Sequence, residues 1–163
     1  MERLFAAGLT LGALAWSVIL LSAPYGLTSG NPRLVAAAAS VYSAAGLICH
    51  QRSERSFHLA GVQQPVCARC AGLYLSGAAG TLAAWLAWRR PRVPRHTRML
   101  LGLAALPTVL SVTIEFAGLA HPSNTVRAVC ALPLGVVAGW VFVRSLRAET
   151  PQPASAGAYA RGR

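Results

Sequence analysis

Apolar residues in this chain come in long uninterrupted runs, not in the short alternations of strands or the one-sided stripes of soluble helices. Leu4 to Leu21 carries no charge. A helix needs about 20 residues to span the hydrocarbon core, within a range of about 17 to 25, so this run predicts a first span. A secretory signal is the competing reading, because Arg3 precedes the run and Leu21-Ser22-Ala23 resembles a cleavage site. The apolar core is, however, longer than the roughly 7 to 15 residues of such signals. Ser22 through Pro32 reads as a loop, punctuated by Pro24, Gly26, Gly30 and Asn31-Pro32. Leu34 to Leu47 is weakly apolar and mostly alanine, and predicts either a short interfacial helix or a further span. After a polar stretch from Cys49 to Pro65, strong spans follow at Val66 to Trp88, Met99 to Ala120 and Val126 to Val143. Residues 148–163, rich in Ala, Pro, Gly and Ser, read as a disordered tail. The predicted fold is therefore all-α: residues 1–147 form a polytopic transmembrane bundle with four spans plus one short interfacial or fifth spanning helix.

Small residues recur every fourth position at Gly8/Gly12, at Gly135/Gly139 and along Gly72, Ser76, Gly80 and Ala84. Residues at that spacing share a helix face, and small ones let helix backbones approach closely in lipid. The four-member seam predicts a packing surface.

Composition supports the membrane reading. Hydrophobic residues make up 55% of the 163 and charged ones only 12%, with a mean hydropathy of +0.49. A soluble domain carries about 25% charged residues. All 15 basic residues are arginine; the acids are Glu2, Glu54, Glu115 and Glu149. A net charge of +11 in a soluble protein would suggest nucleic acid. Here the arginines sit between apolar runs, which points to lipid headgroups and the bilayer as the partner and away from nucleic acid. Arg89, Arg90, Arg92, Arg95 and Arg98 fall between the second and third strong spans, and Arg144, Arg147, Arg161 and Arg163 follow the last. The positive-inside rule makes both segments cytoplasmic and puts Cys49–Cys70 on the opposite side, although Arg52, Arg55 and Arg69 lie there too. The N-terminus is cytoplasmic if Leu34 to Leu47 does not cross, and external if it does.

Chemistry concentrates in Cys49-His50 and Cys67-Ala68-Arg69-Cys70. Thiolate and imidazole are the usual ligands of tetrahedral zinc, and a two-residue gap lets both sulfurs of a Cys-x-x-Cys face one ion. Cys49, His50, Cys67 and Cys70 are the candidate metal ligands, with zinc the candidate cofactor. The alternative is redox. Cys67 and Cys70 open a predicted helix with Arg69 between them, and both the helix dipole and the cation favour thiolate. An extracytoplasmic location also permits disulfides, including a purely structural one. Cys130 reads as a small packing residue, and His58, His96 and His121 as loop residues. No hydrolase triad, phosphate loop or HExxH pattern is present, so no catalytic residues are assigned.

The segments Cys49-His50-Gln51-Arg52-Ser53-Glu54-Arg55-Ser56-Phe57 and Pro65-Val66-Cys67-Ala68-Arg69-Cys70-Ala71-Gly72-Leu73-Tyr74 resemble an uncharacterised prokaryotic membrane-protein family, domain of unknown function 2085. Ser123-Asn124-Thr125-Val126-Arg127 is similar to a later element of that family, and Glu115 is nearest to its acidic position. Where the family pattern has Thr-Gly, this chain has Cys130-Ala131. The resemblance implies a small multi-span helical protein, sited by its prokaryotic membership in the cytoplasmic membrane, and brings no activity with it.

Glu115 lies inside an apolar span, where an ionisable side chain is costly and faces a partner or a water-filled cavity. Arg127 is its candidate counter-ion, and Arg69, Glu115, Asn124 and Arg127 complete the candidate site residues. Three functions follow as expectations: a metal-binding membrane protein, a thiol–disulfide oxidoreductase using Cys67 and Cys70, or a transporter or accessory subunit using Glu115 and Arg127.

Overall fold

The computed structural model describes residues 2–87 and 96–148. Five α-helices dominate: α1 (Glu2–Leu27), α2 (Pro32–Gly46), α3 (Ala68–Leu86), α4 (Thr97–Phe116) and α5 (Asn124–Ala148). Between α2 and α3 lie a single 3-10 turn, Ser53–Arg55, and a hairpin of two-residue strands, His58–Leu59 paired with Val62–Gln63. Ala60 and Gly61 turn the hairpin with φ of 51° and 75°, as its tight two-residue turn demands. Four of the five arginines expected between the second and third strong spans, and all but the first residue of the expected tail, lie outside the described residues.

Burial is inverted relative to a water-soluble bundle. Large apolar side chains such as Leu11, Val18, Leu103, Val109, Leu110 and Val129 are exposed, while the interior holds Ala6, Ala84, Thr10, Ser17, Ser76, Thr81, Glu115 and Arg127. That is the arrangement expected when lipid replaces water: leucine gains nothing by leaving the tails, whereas small and polar groups gain close contacts and partners inside. Among the described residues three helices are long and apolar enough to cross a membrane: Arg3–Leu27, Thr97–Phe116 and Asn124–Arg147. The fourth expected span, now α3, is 19 residues long and is not among them. Arg69 and a series of Gly, Ser and Thr lower its hydropathy, and those same residues make it the packing centre of the bundle.

The α3–α5 contact uses the predicted seam. A methyl group added at Gly72 would overlap the Ala128 backbone, one at Gly80 the Val136 backbone, and one at Gly139 the Gly77 backbone. Glycine is therefore required for the approach. Gly8 and Gly12 differ: among the described residues an added Cβ at either would meet nothing within 4 Å. At one end of the bundle Ala6, Ala84 and Val143 pack together; at the other, Leu20 meets Cys49, Val66 and Cys67. Hence α1 and α3 run antiparallel, as do α4 and α5, which are tied by Thr108 Oγ1 donating to Cys130 O at 2.7 Å.

Helix α2 covers most of the weakly apolar stretch at residues 34–47. It is 15 residues long, about 22 Å at 1.5 Å per residue, and it folds back on the last turns of α1, where Gly26 lies against Ala38 and Leu34. It runs back along α1 from Gly26 to about the level of Leu20, which clusters with Ala45, and so covers only the last turns of that helix. Asn31 starts it by accepting the Arg33 amide at 2.9 Å, with Pro32 in the first turn. The loop expected over Ser22 to Pro32 is shorter than predicted, because α1 continues through Pro24 to Leu27. Pro24 is fully buried in the last turns of α1, where only one intrahelical bond is forfeited. Conversely, α4 stops at Phe116 and does not reach Ala120. Gly118 takes φ +69°, its amide donates to Glu115 O, and the Leu119 amide donates to Ile114 O, a Schellman stop.

Candidate functional site

Cys67 is the N-cap of α3 and Cys70 follows one turn later, so both sulfurs fall on the same face of that turn. Cys49 comes from the segment leaving α2 and accepts the Cys67 amide on its sulfur at 3.1 Å. The three Sγ atoms lie within 4.8 Å of one another, and Cys49 and Cys67 are buried. All four cysteines are free thiols. Three sulfurs brought this close are the chemistry of a soft-cation site, and the Cys67–Cys70 pair is equally that of a dithiol.

His50 is not brought into this cluster. It is exposed, and its Nδ1 accepts the Arg52 amide at 3.1 Å. Adjacent residues point in different directions, and burying the Cys49 sulfur turns the imidazole outward. His58 pairs with Ser53 at 3.3 Å, and His121 lies on the rim of a different cavity.

A polar clamp holds the segment that carries Cys49. Gln51 has φ 48°, and its Nε2 donates to Tyr42 O at 2.7 Å and Pro65 O at 2.8 Å. Gln63 Nε2 donates to Gln51 O at 2.6 Å, and the Tyr42 hydroxyl donates to Gln63 O. Asn124 Nδ2 reaches from the start of α5 to Ser56 O at 3.0 Å. The three backbone groups at Tyr42, Gln51 and Pro65 are thereby satisfied away from water, and the 47–66 segment becomes a fixed cap over the thiols.

A second cluster lies beside the first. Glu115, 8% exposed in the last turn of α4, faces three arginines. Arg127 binds it side-on, with NH2 to Oε1 at 2.8 Å and Nε to Oε2 at 3.4 Å. Arg69 NH2 donates to Oε2 at 2.5 Å and to Ser111 O at 3.3 Å. Arg55 NH2 reaches Oε1 at 3.0 Å. Arg127 NH1 is fixed by Asn124 Oδ1 at 2.8 Å. Of the residues proposed from sequence, Arg69, Glu115, Asn124 and Arg127 thus form one network. Arg55 was missed as a member: sixty positions from Glu115 and next to Glu54, it reads in sequence as a local ion pair or a headgroup contact.

Residues 49–141 match the family described as predicted membrane proteins, domain of unknown function 2085. The chain belongs to this family. The match opens at Cys49 and takes in Arg55, Cys67, Arg69, Cys70, Glu115 and Arg127, so both clusters lie within it, while α1 and α2 lie outside. An uncharacterised protein of Methanothermobacter thermautotrophicus is 33% identical over 89 residues, covering 55% of this chain and 78% of that protein. Another from Methanocaldococcus jannaschii is 29% identical over 103 residues, covering 63% of this chain and 64% of its own length, just under two thirds. No solved structure matches.

Proposed function

We propose that this family member is a metal-binding membrane protein whose thiol cluster, Cys49, Cys67 and Cys70, holds a zinc-type ion at the extracytoplasmic edge of a four-span bundle. The observation that carries the reading is the convergence of three sulfurs from two separate segments to within 4.8 Å. Three thiolates and one further ligand make a tetrahedral set; His50 is the nearest imidazole in sequence, and a ring rotation with loss of its Arg52 contact would be needed to recruit it. Orientation is supported by the opposite end of the bundle, where Arg144 lies over Trp140 at 5.0 Å and Arg147 over Trp85 at 4.7 Å. Tryptophan marks a headgroup boundary on either face, and the arginines beside it favour the cytoplasmic one. On this reading α3 crosses as the fourth span, with its small residues against its neighbours and Leu75, Leu82 and Leu86 facing outward, and the membrane is the cytoplasmic one of a prokaryote.

One further reading has its own observation. Cys67 at the N-cap of α3 and Cys70 one turn later, with their sulfurs within 4.8 Å, also suit a dithiol that cycles to a disulfide. A single preparation separates the two. Protein purified in mild detergent without chelator is measured for metal and for free thiols. About one equivalent of zinc, lost in Cys67→Ser, supports the metal site. Metal-free protein with a reducible Cys67–Cys70 bond overturns it in favour of the oxidoreductase.

A further inference from the structure

The Glu115 cluster is unbalanced in charge. Three guanidiniums, those of Arg55, Arg69 and Arg127, surround one carboxylate. Arg127 and Glu115 are both more than nine-tenths buried. An ion pair in a low-dielectric site persists when charges are matched, and excess like charge there is costly. Among the described residues the other acid at the site is Glu54, exposed on its rim, where water screens it. Beside the cluster opens a cavity of about 470 Å³, lined by Arg55, Arg127, Glu115, Ser123, Asn124 and His121. The first turn of the 25-residue α5 faces the same space, adding the positive end of its dipole. Arg55 is anchored to Glu115 by one nitrogen, with a side chain 27% exposed toward this opening.

We propose that this cavity is an anion site for a phosphate-type oxyanion, with Arg55 and Arg127 as the recognising groups and Ser123 and the α5 N-terminus as supporting donors. Guanidinium forks match the paired oxygens of phosphate, and a buried arginine held rigid by Glu115 and Asn124 is ordered before the ligand arrives. Glu115 acts as the positioning residue that holds the arginines apart at fixed angles. The oxyanion is either a phospholipid headgroup entering from the adjacent leaflet or free phosphate from solution. Both present the same chemistry to the arginines. This site is separate from the thiol cluster and does not depend on a metal there.

The test uses the full chain in a neutral detergent. Inorganic phosphate is titrated calorimetrically, and native mass spectrometry counts bound phosphatidylglycerol against a glucosyl diacylglycerol that lacks phosphate. One saturable equivalent of phosphatidylglycerol with no response to phosphate assigns the lipid source; saturation by inorganic phosphate assigns the free anion. In either case Arg55→Gln weakens binding at least about tenfold, the loss of one charge-assisted hydrogen bond. Arg33→Gln, which removes an exposed arginine on α2, leaves it unchanged. Should Arg55→Gln fail to fold, Arg55→Lys keeps the charge on Glu115, loses the fork, and weakens binding in the same direction. Absence of saturation by both probes, equal retention of the glucosyl lipid, or equal weakening by Arg33→Gln overturns the assignment.

Discussion

Replacing Glu115 with glutamine changes almost no volume and removes the one negative charge among three arginines. The carboxylate is 5% exposed as a side chain, and its nitrogen partners lie at 3.0, 2.5 and 2.8 Å. With charge centres about 4 Å apart and an effective dielectric of about 20, each pair is worth about 4 kcal/mol before desolvation. Desolvation and mutual repulsion of the arginines offset much of that sum, and Arg55, partly exposed, contributes least. Breaking a buried pair by deleting one partner costs about 3–5 kcal/mol, because the surviving charges stay buried without compensation. In a chain of this size 1 kcal/mol shifts Tm by roughly 2–4 °C, so Glu115→Gln should lower Tm by roughly 10 °C. The assay is tryptophan fluorescence during heating in detergent, which reads the four tryptophans without labelling the thiols. The sign of a second substitution is the sharper discriminator. Arg127→Gln should cost less alone than Glu115→Gln, because Arg55 and Arg69 still compensate the carboxylate, and should be nearly neutral, or restoring, on the Glu115→Gln background, because it then removes an excess charge. Strictly additive losses, or a Glu115→Gln protein melting with the wild type, would refute the view that this carboxylate is the hub of the cluster.

Other outcomes follow from separate parts of the molecule. Gly80→Leu should separate α3 from α5 and lower Tm by more than Gly8→Leu, since a side chain at Gly80 meets the Val136 backbone and one at Gly8 meets nothing; equal melting temperatures would contradict the seam. If the thiol cluster holds metal, acidification should release it, because the sulfurs must be deprotonated to ligate; dialysis from neutral pH toward pH 4, followed by metal analysis, checks the direction, and retention at the acid end would argue against thiolate ligation. A reporter fused after Arg98 should read as cytoplasmic, and an external signal there would reverse the proposed orientation.

The helices were legible because lipid demands long apolar runs, and runs survive in a single sequence without alignment. Their ends were less so. The Schellman stop at Gly118 shortened α4 from its expected end at Ala120, and packing by α2 carried α1 through Pro24, where local punctuation predicted a loop. The Gly72–Ala84 seam was readable because its spacing is a property of one helix, whereas Gly8 and Gly12 show that the same spacing without an opposing backbone has no partner to bind. Within the sites, Cys67 and Cys70 were tied by a single turn, and Cys49 joined them through the clamp built on Gln51 and Gln63. That clamp had no signature, since a glutamine that satisfies backbone carbonyls looks like any polar loop residue. The tiny 58–63 hairpin was missed for the same reason: two residues per strand leave no alternation to detect.

The first turn of α3 is where the two clusters become one structural problem. Cys67 and Cys70, three apart, lie on one face of that turn, toward the Cys49 sulfur and the side chains of Leu20 and Trp16 on α1. Arg69, between them in sequence, is turned by about 100° per residue onto another face, where it meets Glu115 and the Ser111 carbonyl of α4. A single four-residue motif therefore fixes the thiols and the carboxylate cluster at the same depth. Arg55 and Asn124 close the arrangement from outside, one bonding Glu115 and the other bonding Ser56 of the cap. Any rotation of this turn that changes sulfur spacing must also shift the Arg69–Glu115 contact, and with it the arginines facing the cavity. Two sites joined by so short a lever have a physical route for mutual influence, provided the turn has two arrangements that each ligand favours differently. If the thiol cluster takes up metal, the loaded and metal-free states of one preparation are the natural pair in which to compare the anion titration.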